Sequence, residues 1–539
     1  MIGVDQGGGM EYLVEGAPVY VMDAAHTKAE AMVVSGGVVR AVGDRRSLRE
    51  SFGRARRIQV DGAAVIPAFN DCHAHLLRLG QDMTRAELRY CRTAEDIRGA
   101  LWANDISRRD GWLVGVNYDQ NILPGRRHLD LDEMDRIGGD RPVYLFHLSR
   151  HEGMANRKAL NLAGVTADTP DPPEGKIERD TAGRPTGRLL EMGVRLVEEA
   201  LPEPSDEELR HAIRAALDHQ ALRGILAATD ATSGKWFGME REWGAYSRVL
   251  SEGASVKVTL MPDVDVCRSH GWMDRNGVEL PPAPAGLSLG PMKFIADGAI
   301  TNQTAAVSRP YENGGGLGFL VYPEEKLEAM IVRAHRGGWR CAIHAIGDRT
   351  IEICLDAFAR AAREFPRPGV RHRLEHCMMV NDRINRRMAA CGVIPCVQPE
   401  FIFHLGHAYR GSIAERADGL MPYRSWLRAG LPLAFGSDQP VVTGDPILGW
   451  RAAVDRRTRD GEVLGEAERL EPLEALRAYT AGSALACGDP AIGSLEPGKE
   501  ARFAVLSQGP ESILDSGMHV VTTSAELLPP EGGGAAVVH

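Results

Sequence analysis

The sequence lacks the features that mark secreted, membrane-spanning and nucleic-acid-binding proteins. Its nine cysteines are scattered and form no C-x-x-C pair, which favours reduced thiols in the cytoplasm over a disulfide framework. No apolar run is long enough to cross a bilayer, and "MIGVDQGGGMEYLVEG" at the start lacks the basic-then-apolar order of a signal peptide. The formal net charge is −10 with no long basic run, which argues against a nucleic-acid partner. We therefore expect a cytoplasmic protein with a small-molecule substrate, no membrane or nucleic-acid partner, and homo-oligomerisation left open.

The composition and the two ends of the chain indicate a globular protein with a small sheet domain. The 539 residues are 44% hydrophobic and 25% charged, which provides apolar material for a sizeable core. Short β-like runs broken by Gly and Asp occur at both ends, as in "AEAMVVSGGVVRAVG" and "IGSLEPGKEARFAVLS". We assign residues 1–62 and 486–530 to one composite β-sandwich formed by both chain ends.

The middle of the chain alternates apolar, strand-like runs with helical patterns, as is typical of parallel β/α architecture. The predicted strands are 63–75, 224–231, 256–264, 289–297, 341–347, 370–377, 393–400 and 431–438. Eight strands with intervening helices predict an α/β fold, a TIM (β/α)8 barrel over residues 63–485. The interval of about 80–220 is too long for one crossover, so we expect an inserted subdomain there. Its turn-rich stretch "PDPPEGKIERDTAGRPTG" is predicted to be an irregular lid.

Histidines and one aspartate stand at the ends of several predicted strands. His73 and His75 are two residues apart, so they share one strand face, and burying both is costly without a binding partner. His344, His376 and Asp438 end three later strands. Because a barrel gathers the carboxyl ends of its strands at one mouth, these side chains are expected to converge on a divalent metal ion of the zinc type. The alternative is that these are unrelated buried histidines, each with its own hydrogen bond. It would require such a histidine to occur by chance at three strand ends.

The segment "VIPAFNDCHAHLLRLG" resembles the opening motif of the amidohydrolase superfamily. Later segments, in the same order, resemble its YtcJ-like branch, amidohydrolase family 3, which includes N-substituted formamide deformylase. They include "RPVYLFHLSRHEGMANRKALNLAGV", "MKFIADGAITNQTAAVSRPY", "HAIGDRTIEICLDAF", "RHRLEHC" and "PYRSWLRAGLPLAFGSDQPV". The resemblance runs from about residue 15 to about residue 505.

This resemblance implies a TIM barrel with a composite β-sandwich, metal ligands at the four strand-end histidines, and Asp438 as ligand and catalytic aspartate. It also places Lys293, in "MKFIADG", where related barrels carry a carboxylated lysine that bridges two metal ions. A dication repels an ordinary ammonium, so Lys293 would be a ligand only as the carbamate. The alternative is an ion pair with Asp297, four residues further on. We expect one or two divalent ions, zinc first, and two only with carboxylated Lys293.

The expected reaction is hydrolysis of a carbon–nitrogen bond, of the EC 3.5 type, in a small amide, formamide or cyclic amide. A bound zinc ion lowers the pKa of its water towards ~7, so that hydroxide can attack the carbonyl carbon at neutral pH. Asp438 would take the water proton and return it to the leaving nitrogen. Two alternatives remain: a metal-assisted lyase or decarboxylase on the same barrel, and a non-catalytic regulatory barrel.

Substrate contacts are predicted at six further positions, each with a structural alternative. Arg150 stands where the branch usually has glycine, so it either grips a substrate anion or lies in solvent, and His151 matches a histidine of the family motif. The others lie near predicted strand ends: Asp297, Arg349, Gln398 and His404. Turn capping and helix-start contacts are the alternative for the first two, and contacts behind the metal ligands are the alternative for the last two.

Overall fold

The computed structural model describes residues 10–104, 111–148, 152–172, 175–312 and 314–528. Within these residues, no helix combines the length and the apolar composition needed to cross a membrane. The strands are β1 (Glu11–Tyr20), β2 (Lys28–Ser35), β3 (Val38–Gly43), β4 (Arg56–Gln59), β5 (Ala64–Pro67), β6 (Phe69–Ala74), β7 (Ala86–Glu87), β8 (Leu113–Tyr118), β9 (Val143–His147), β10 (Glu152–Ala155), β11 (Gly175–Arg179), β12 (Pro185–Glu191), β13 (Ile225–Ser233), β14 (Lys257–Pro262), β15 (Leu287–Leu289), β16 (Met292–Ile295), β17 (Cys341–Ala345), β18 (Arg373–His376), β19 (Ile394–Val397), β20 (Ala434–Phe435), β21 (Phe503–Leu506) and β22 (Val520–Thr523).

The α-helices are α1 (Arg45–Ser51), α2 (Leu76–Thr84), α3 (Ala94–Ala103), α4 (Leu131–Gly138), α5 (Arg157–Leu162), α6 (Arg195–Glu198), α7 (Asp206–Leu222), α8 (Met239–Ser251), α9 (Val264–Ser269), α10 (Glu324–Arg336), α11 (Asp348–Glu364), α12 (Asp382–Cys391), α13 (Glu400–Ile413), α14 (Tyr423–Arg428), α15 (Pro446–Asp455), α16 (Pro472–Arg477), α17 (Ser483–Cys487) and α18 (Ser524–Leu527). The chain folds as two compact units: Leu77–Ala216 forms one, and the segments before and after it form the other.

Strands from both chain ends share one sheet. Its order is β22-β21-β5-β1-β2-β3, and β4 pairs with β1. The join is made by β21, which runs antiparallel to β5 with Phe503 opposite Pro67. Val14, Val65 and Phe503 are buried in one core cluster of this sheet, so residues far apart in sequence depend on the same apolar contacts.

The predicted strand 63–75 is two strands in different sheets. β5 ends at Pro67, and β6 begins at Phe69. The N–H of Ala68 donates to the carbonyl of Arg502, whereas the N–H of Phe69 donates to that of Gly224. The continuous apolar pattern concealed this break, because both strands are buried on both faces. The predicted boundary at residue 62 is therefore too early, since β5 belongs to the sheet of the chain ends.

Parallel strands with helices between them carry the rest of this unit. One sheet has the order β15-β14-β13-β6, and a second has the order β16-β17-β18-β19-β20. Each of the eight predicted strand segments overlaps these nine strands, and the predicted strand 289–297 overlaps two of them, β15 and β16, which lie in different sheets. Backbone contacts join the two sheets at both sides: Asp263 bridges to Lys293, and the N–H of Asp438 donates to the carbonyl of His73 at 2.6 Å.

The unit Leu77–Ala216 has its own six-stranded sheet, of order β11-β12-β10-β9-β8-β7. The prediction of an irregular lid in this unit is wrong for its strand-forming part, because β11 and β12 pair antiparallel. Ile177 lies opposite Leu189, and both side chains are buried. Turn-forming residues supply the connection between these two strands at 180–184. The strands themselves, in "KIER" and "TGRLLE", alternate apolar and polar residues, as in a half-buried hairpin.

A pair of buried histidines packs within the parallel region. Nε2 of His372 lies 2.9 Å from Nδ1 of His335, and Nδ1 of His372 accepts the N–H of Cys341 at 3.0 Å. The ring stacks on Phe358, with centroids 4.4 Å apart. Burial, with His335 adding to it, lowers the pKa of His372 to about 3. The neutral ring is therefore the form that this packing requires.

Replacement of His372 by Phe should weaken the loss of stability on acidification. An unfolded histidine takes up a proton below about pH 6.5, whereas folded His372 does so only near its lowered pKa, so this residue makes stability fall as pH falls between those values. Phe keeps the stacking but has no group that binds a proton. The slope of the free energy of unfolding against pH should therefore decrease by up to about 1.4 kcal/mol per pH unit. Urea unfolding near neutral pH and one to two units lower measures it. H407F is the control variant, since His407 is 82% exposed and takes no part in this packing.

Candidate metal centre

The five predicted side chains follow parallel strands, on the side where those strands end. His73 lies near the end of β6, and His75 just follows that strand. His344 lies in β17, and His376 is the last residue of β18. Asp438 lies shortly beyond β20.

Three of these side chains are close enough to share one cation. A ring nitrogen of His73, a ring nitrogen of His376 and a carboxylate oxygen of Asp438 all lie within 4.8 Å of one another, and the three residues are buried. Nε2 of His75 lies 3.1 Å from Oδ1 of Asp438. The ring centroid of His344 lies 4.4 Å from that of His376. The structure therefore brings the five side chains together, and they are called the histidine cluster below.

His73 is held by a buried carboxylate that the sequence analysis did not single out. Its Nδ1 lies 2.5 Å from Oε2 of Glu375, and Arg373 donates to both oxygens of Glu375 at 2.7 and 2.8 Å. Burial raises the pKa of Glu375, but the charge of Arg373 and the contact with His73 outweigh it, so that pKa lies well below its ordinary value. An ionised Glu375 fixes the proton of His73 on Nδ1 and leaves Nε2 facing the cluster.

His376 is oriented by an amide and an aromatic ring. Its Nδ1 lies 2.8 Å from Oε1 of Gln398, and its ring lies parallel to that of Phe401 with centroids 6.2 Å apart. Its φ of 67° is in the left-handed region, which is uncommon for a residue with a Cβ. Burial lowers the pKa of His376 well below its ordinary value, so the ring is neutral and its Nε2 can bind a cation.

The ring of His344 packs against that of His376, while its Nε2 contacts groups outside the cluster. Its Nε2 lies 3.0 Å from the carbonyl oxygen of Gly298 and 3.7 Å from Oδ1 of Asp297. Burial, with the charge of Lys293 adding to it, lowers the pKa of His344 to about 4. His344 is therefore neutral near pH 7, and its Nε2 is engaged by a carbonyl in this conformation.

Asp438 is fixed by the strand that carries His73. Its Oδ1 lies 3.3 Å from Nε2 of His73, and its φ is 60°. Asp71 accepts hydrogen bonds from the N–H of His73 and from Ser437, and so ties β6 to the segment after β20. A Cβ added to Gly436 would lie 2.7 Å from the nitrogen of His73, so glycine permits this close approach. Burial raises the pKa of Asp438, but the contacts with the His73 and His75 rings outweigh it and hold that pKa well below its ordinary value.

Lys293 lies beside the histidine cluster with its side chain buried. Its Nζ is 3.5 Å from Nε2 of His73. Burial lowers the pKa of Lys293 to about 8, although the charges of Glu375 and Asp438 raise it. Among the described residues, Lys293 forms no ion pair with Asp297, so the structural alternative of the sequence analysis is not supported.

The structure places the six predicted substrate residues in different surroundings. Asp297 is fully buried and accepts the N–H groups of Ile346, Gly347 and Ala306, which favours the capping alternative. Arg349 is exposed and lies 3.8 Å from the carboxylate of Glu324, so its contact is a surface ion pair. Arg150 and His151 lie outside the described residues.

Gln398 and His404 contact protein groups. Gln398 stands behind His376, as described above. Nε2 of His404 lies 3.1 Å from Oε1 of Glu400, and Arg459 donates to its Nδ1 at 2.8 Å. Glu400 in turn accepts the N–H of Gly444, in the segment beyond Asp438. Gln398 therefore occupies the position behind a candidate metal ligand that the sequence analysis left open, whereas the contacts of His404 are with Glu400 and Arg459.

The donor set of the cluster fits a divalent cation. The neutral rings of His376 and His344 and the ionised Asp438 supply nitrogen and oxygen ligands of the kind that zinc accepts. Within the described part of the chain, Oδ1 of Asp438 is buried, and the ring nitrogens of His75 and His73 lie 3.1 and 3.3 Å from it without the geometry of a hydrogen bond. A buried carboxylate oxygen without a donor is costly, and a cation would satisfy it.

Comparisons with known proteins agree with this geometry. The sequence model of the amidohydrolase family matches residues 58–526. The YtcJ protein of Bacillus subtilis (strain 168) is 28% identical over 529 residues, which cover 95% of this chain and 97% of that protein. The N-substituted formamide deformylase of Arthrobacter pascens is 30% identical over 515 residues, which cover 93% of this chain and 94% of that enzyme.

A solved structure is similar over the same length. The crystal structure of an uncharacterized metal-dependent hydrolase from Pyrococcus horikoshii OT3 superimposes with a TM-score of 0.77 at 25% identity and covers 93% of this chain and 98% of that one. The family match spans most of the sequence, and the motifs noted in the sequence lie within it. The chain therefore belongs to the amidohydrolase family.

Proposed function

We propose that this protein is a metal-dependent amidohydrolase that cleaves the carbon–nitrogen bond of a small amide, formamide or cyclic amide. The observation that carries the proposal is the convergence of His73, His376 and Asp438 within 4.8 Å. The fold proposed with it is an eight-stranded parallel barrel with the segment of about 80–220 as an inserted subdomain. The backbone contacts that join the two parallel sheets at both sides support this closure.

The histidine cluster would hold the metal ion, with zinc as the proposed ion. When bound, such an ion lowers the pKa of water and polarises the substrate carbonyl. A second ion requires Lys293 as a carbamate. The lowered pKa of Lys293 supports this, because the neutral amine is the form that adds carbon dioxide, and its fraction is substantial near pH 8.

Asp438 acts as the proton carrier of the reaction. It is ionised at neutral pH, so it can accept a proton from the attacking water. It then gives that proton to the nitrogen of the scissile bond, since an unprotonated amide nitrogen is a poor leaving group. The products are an amine and a carboxylic acid, and water is the only co-reactant.

The substrate proposed first is an N-formyl or N-acyl amine. The deformylase of Arthrobacter pascens acts on N-substituted formamides, as its name states, and it matches nearly the whole chain. A panel of N-formyl amines, N-acyl amines and cyclic amides with the zinc-loaded protein tests the proposal. Release of an amine together with a carboxylic acid is expected. Release of carbon dioxide from the substrate would instead indicate the lyase chemistry.

Asp438→Asn should retain the metal and cut kcat by about 10²–10⁴-fold, the usual contribution of a positioned acid–base group. The amide keeps the size of the side chain but does not carry the proton. Metal analysis and steady-state kinetics on the same preparation measure both effects. Near-full activity in D438N would rule out this proton carrier.

Lys293→Ala should lower the zinc content to about one equivalent, because the bridging carbamate is lost. Short-chain carboxylic acids added to this variant should restore part of the activity. Lys28→Ala is the matched control, since Lys28 lies in the sheet of the chain ends, where its Nζ contacts the Tyr20 hydroxyl at 2.8 Å, and its loss should not affect the metal content. An unchanged stoichiometry in K293A contradicts the two-ion centre.

Gln398→Met should weaken zinc binding by about 10–100-fold, the range for loss of a partner behind a metal-bound histidine. Methionine fills a similar volume but is a poor acceptor for the Nδ1–H of His376. Zinc affinity from chelator competition is compared with KM. A raised KM with unchanged zinc affinity would show that Gln398 contacts substrate instead.

A further inference from the structure

A cavity of about 290 Å³ lies at the end of the parallel strands opposite the histidine cluster. Its wall is formed by residues near the starts of β6, β13, β14 and β15 and by the segment that follows α17. The polar side chains of this wall are those of Asn70, Lys257, Thr259, Ser288, Cys487 and Asp489. The volume is close to the lower limit of ordinary small-molecule sites, so it suits a compact ligand.

Each carboxylate oxygen beside this cavity already faces a donor. Oδ2 of Asp489 lies 2.5 Å from Nζ of Lys257, and its Oδ1 accepts the N–H of Ala491 at 3.0 Å. Glu500 accepts from the same lysine at 2.6 Å, and its other oxygen accepts from Arg502 at 2.7 Å. The cavity therefore does not select a positively charged ligand.

Two donors at the cavity remain open. Asn70 is 2% exposed, and its Nδ2 has no hydrogen-bond partner within the described ranges. The ammonium of Lys257 carries three N–H groups, and its contacts among the described residues, with Asp489 and Glu500, use two of them. A buried N–H without an acceptor is costly, and an acceptor on a ligand would remove that cost. The hydrogen bonds that the cavity can still form are therefore those to acceptor atoms of a ligand.

The charges around the cavity favour an anion. The four charged side chains described above balance one another, and Arg340 adds a further cation. Its Nη1 lies 2.6 Å from the position that a Cβ on Gly488, a residue of the cavity wall, would take. Arg340 donates to the carbonyls of Arg371 and Ala486, and among the described residues it pairs with no carboxylate. An arginine keeps its charge in a protein, so the surroundings carry one positive charge in excess.

The rest of the cavity wall is apolar. Its side chains are those of Ala227, Ala228, Val258, Leu287, Leu289 and Ile492. A short alkyl chain would cover this apolar surface and exclude water from it. Ser288 lines the cavity and is exposed, so a small molecule can enter on this side.

We propose that this cavity binds a short-chain monocarboxylate, with its oxygens on Nδ2 of Asn70 and Nζ of Lys257 and its alkyl chain on the apolar wall. The site lies apart from the histidine cluster and does not depend on the proposed reaction, although that reaction releases acids of this class. The primary amide of the same chain binds less well, because its NH₂ group meets carboxylate oxygens that are already engaged.

The first experiment titrates the native full-length protein with butyrate, butyramide and 1-butanol at constant pH and ionic strength, with binding followed by ligand-observed NMR. Butyrate should bind at least about tenfold more tightly than either neutral compound, since its hydrogen bonds to the two donors are charge-assisted. Equal affinity for the three compounds overturns the preference for a carboxylate. Absence of butyrate binding overturns the site.

The second experiment repeats the butyrate titration with variants of the cavity wall. Asn70→Asp keeps the size of the side chain but replaces the donor by an acceptor, so the affinity should fall at least about tenfold. N276D is the matched control, since Asn276 is exposed and lies outside the cavity wall. S288F changes an exposed position, so the packed core is left intact, and its ring should cover the opening and abolish binding. Unchanged affinity in N70D and S288F overturns the proposal.

The third experiment separates this cavity from the candidate metal centre, because a carboxylate can also bind a metal ion. The titrations of the native protein and of N70D are repeated after removal of the metal with a chelator. Binding in the cavity should persist without metal and be weakened in N70D. Binding that requires the metal and is unchanged in N70D belongs to the histidine cluster and overturns the proposed site. A chain that takes up no zinc and hydrolyses no amide overturns the proposed function, while the titration without metal still decides the cavity site.

Discussion

The ion pair of Arg373 and Glu375 is the constraint on which the histidine cluster depends. Both side chains are fully buried, and Glu375 places its second contact on His73. Removing water from two charges is expensive, and only close geometry with further hydrogen bonds offsets it. Arg373 obtains these from the carbonyls of Cys72 and Ala486, so the pair joins β18, β6 and α17 at one point. The orientation of Nε2 of His73, which faces Asp438, follows from that junction.

The surroundings of the cluster keep two of its histidines neutral and its aspartate ionised. Burial keeps His344 and His376 neutral, while nearby rings keep Asp438 ionised. Neutral imidazoles and an ionised carboxylate are the protonation states that metal ligands require. The same burial lowers the pKa of Lys293. Exclusion of water therefore lowers the pKa values of His344, His376 and Lys293 alike, whereas the ionised form of Asp438 depends on its neighbours.

Sequence reasoning located the cluster because strand ends of a parallel sheet meet on one side, which spacing alone can show. It placed the end of each strand to within three residues of the observed end, and the family followed from the motifs. It missed Glu375, although "RLEH" contains opposite charges two residues apart in a buried strand, and such a pair needs a partner. It also treated 63–75 as one strand, since an apolar run does not reveal which sheet each residue pairs with. Asp297 and Gln398 follow predicted strand ends, which favoured a substrate contact. Their hydrogen-bonding groups are instead taken by protein partners: backbone N–H groups for Asp297 and the His376 ring for Gln398.

The pairing of β21 with β5 has a consequence for synthesis of the chain on the ribosome. The first strands emerge early, yet the neighbour that covers the edge of β5 is made more than four hundred residues later. A strand edge left open for that time can pair with other chains. The nascent protein thus carries this unpaired strand edge through most of its translation, until β21 has been made.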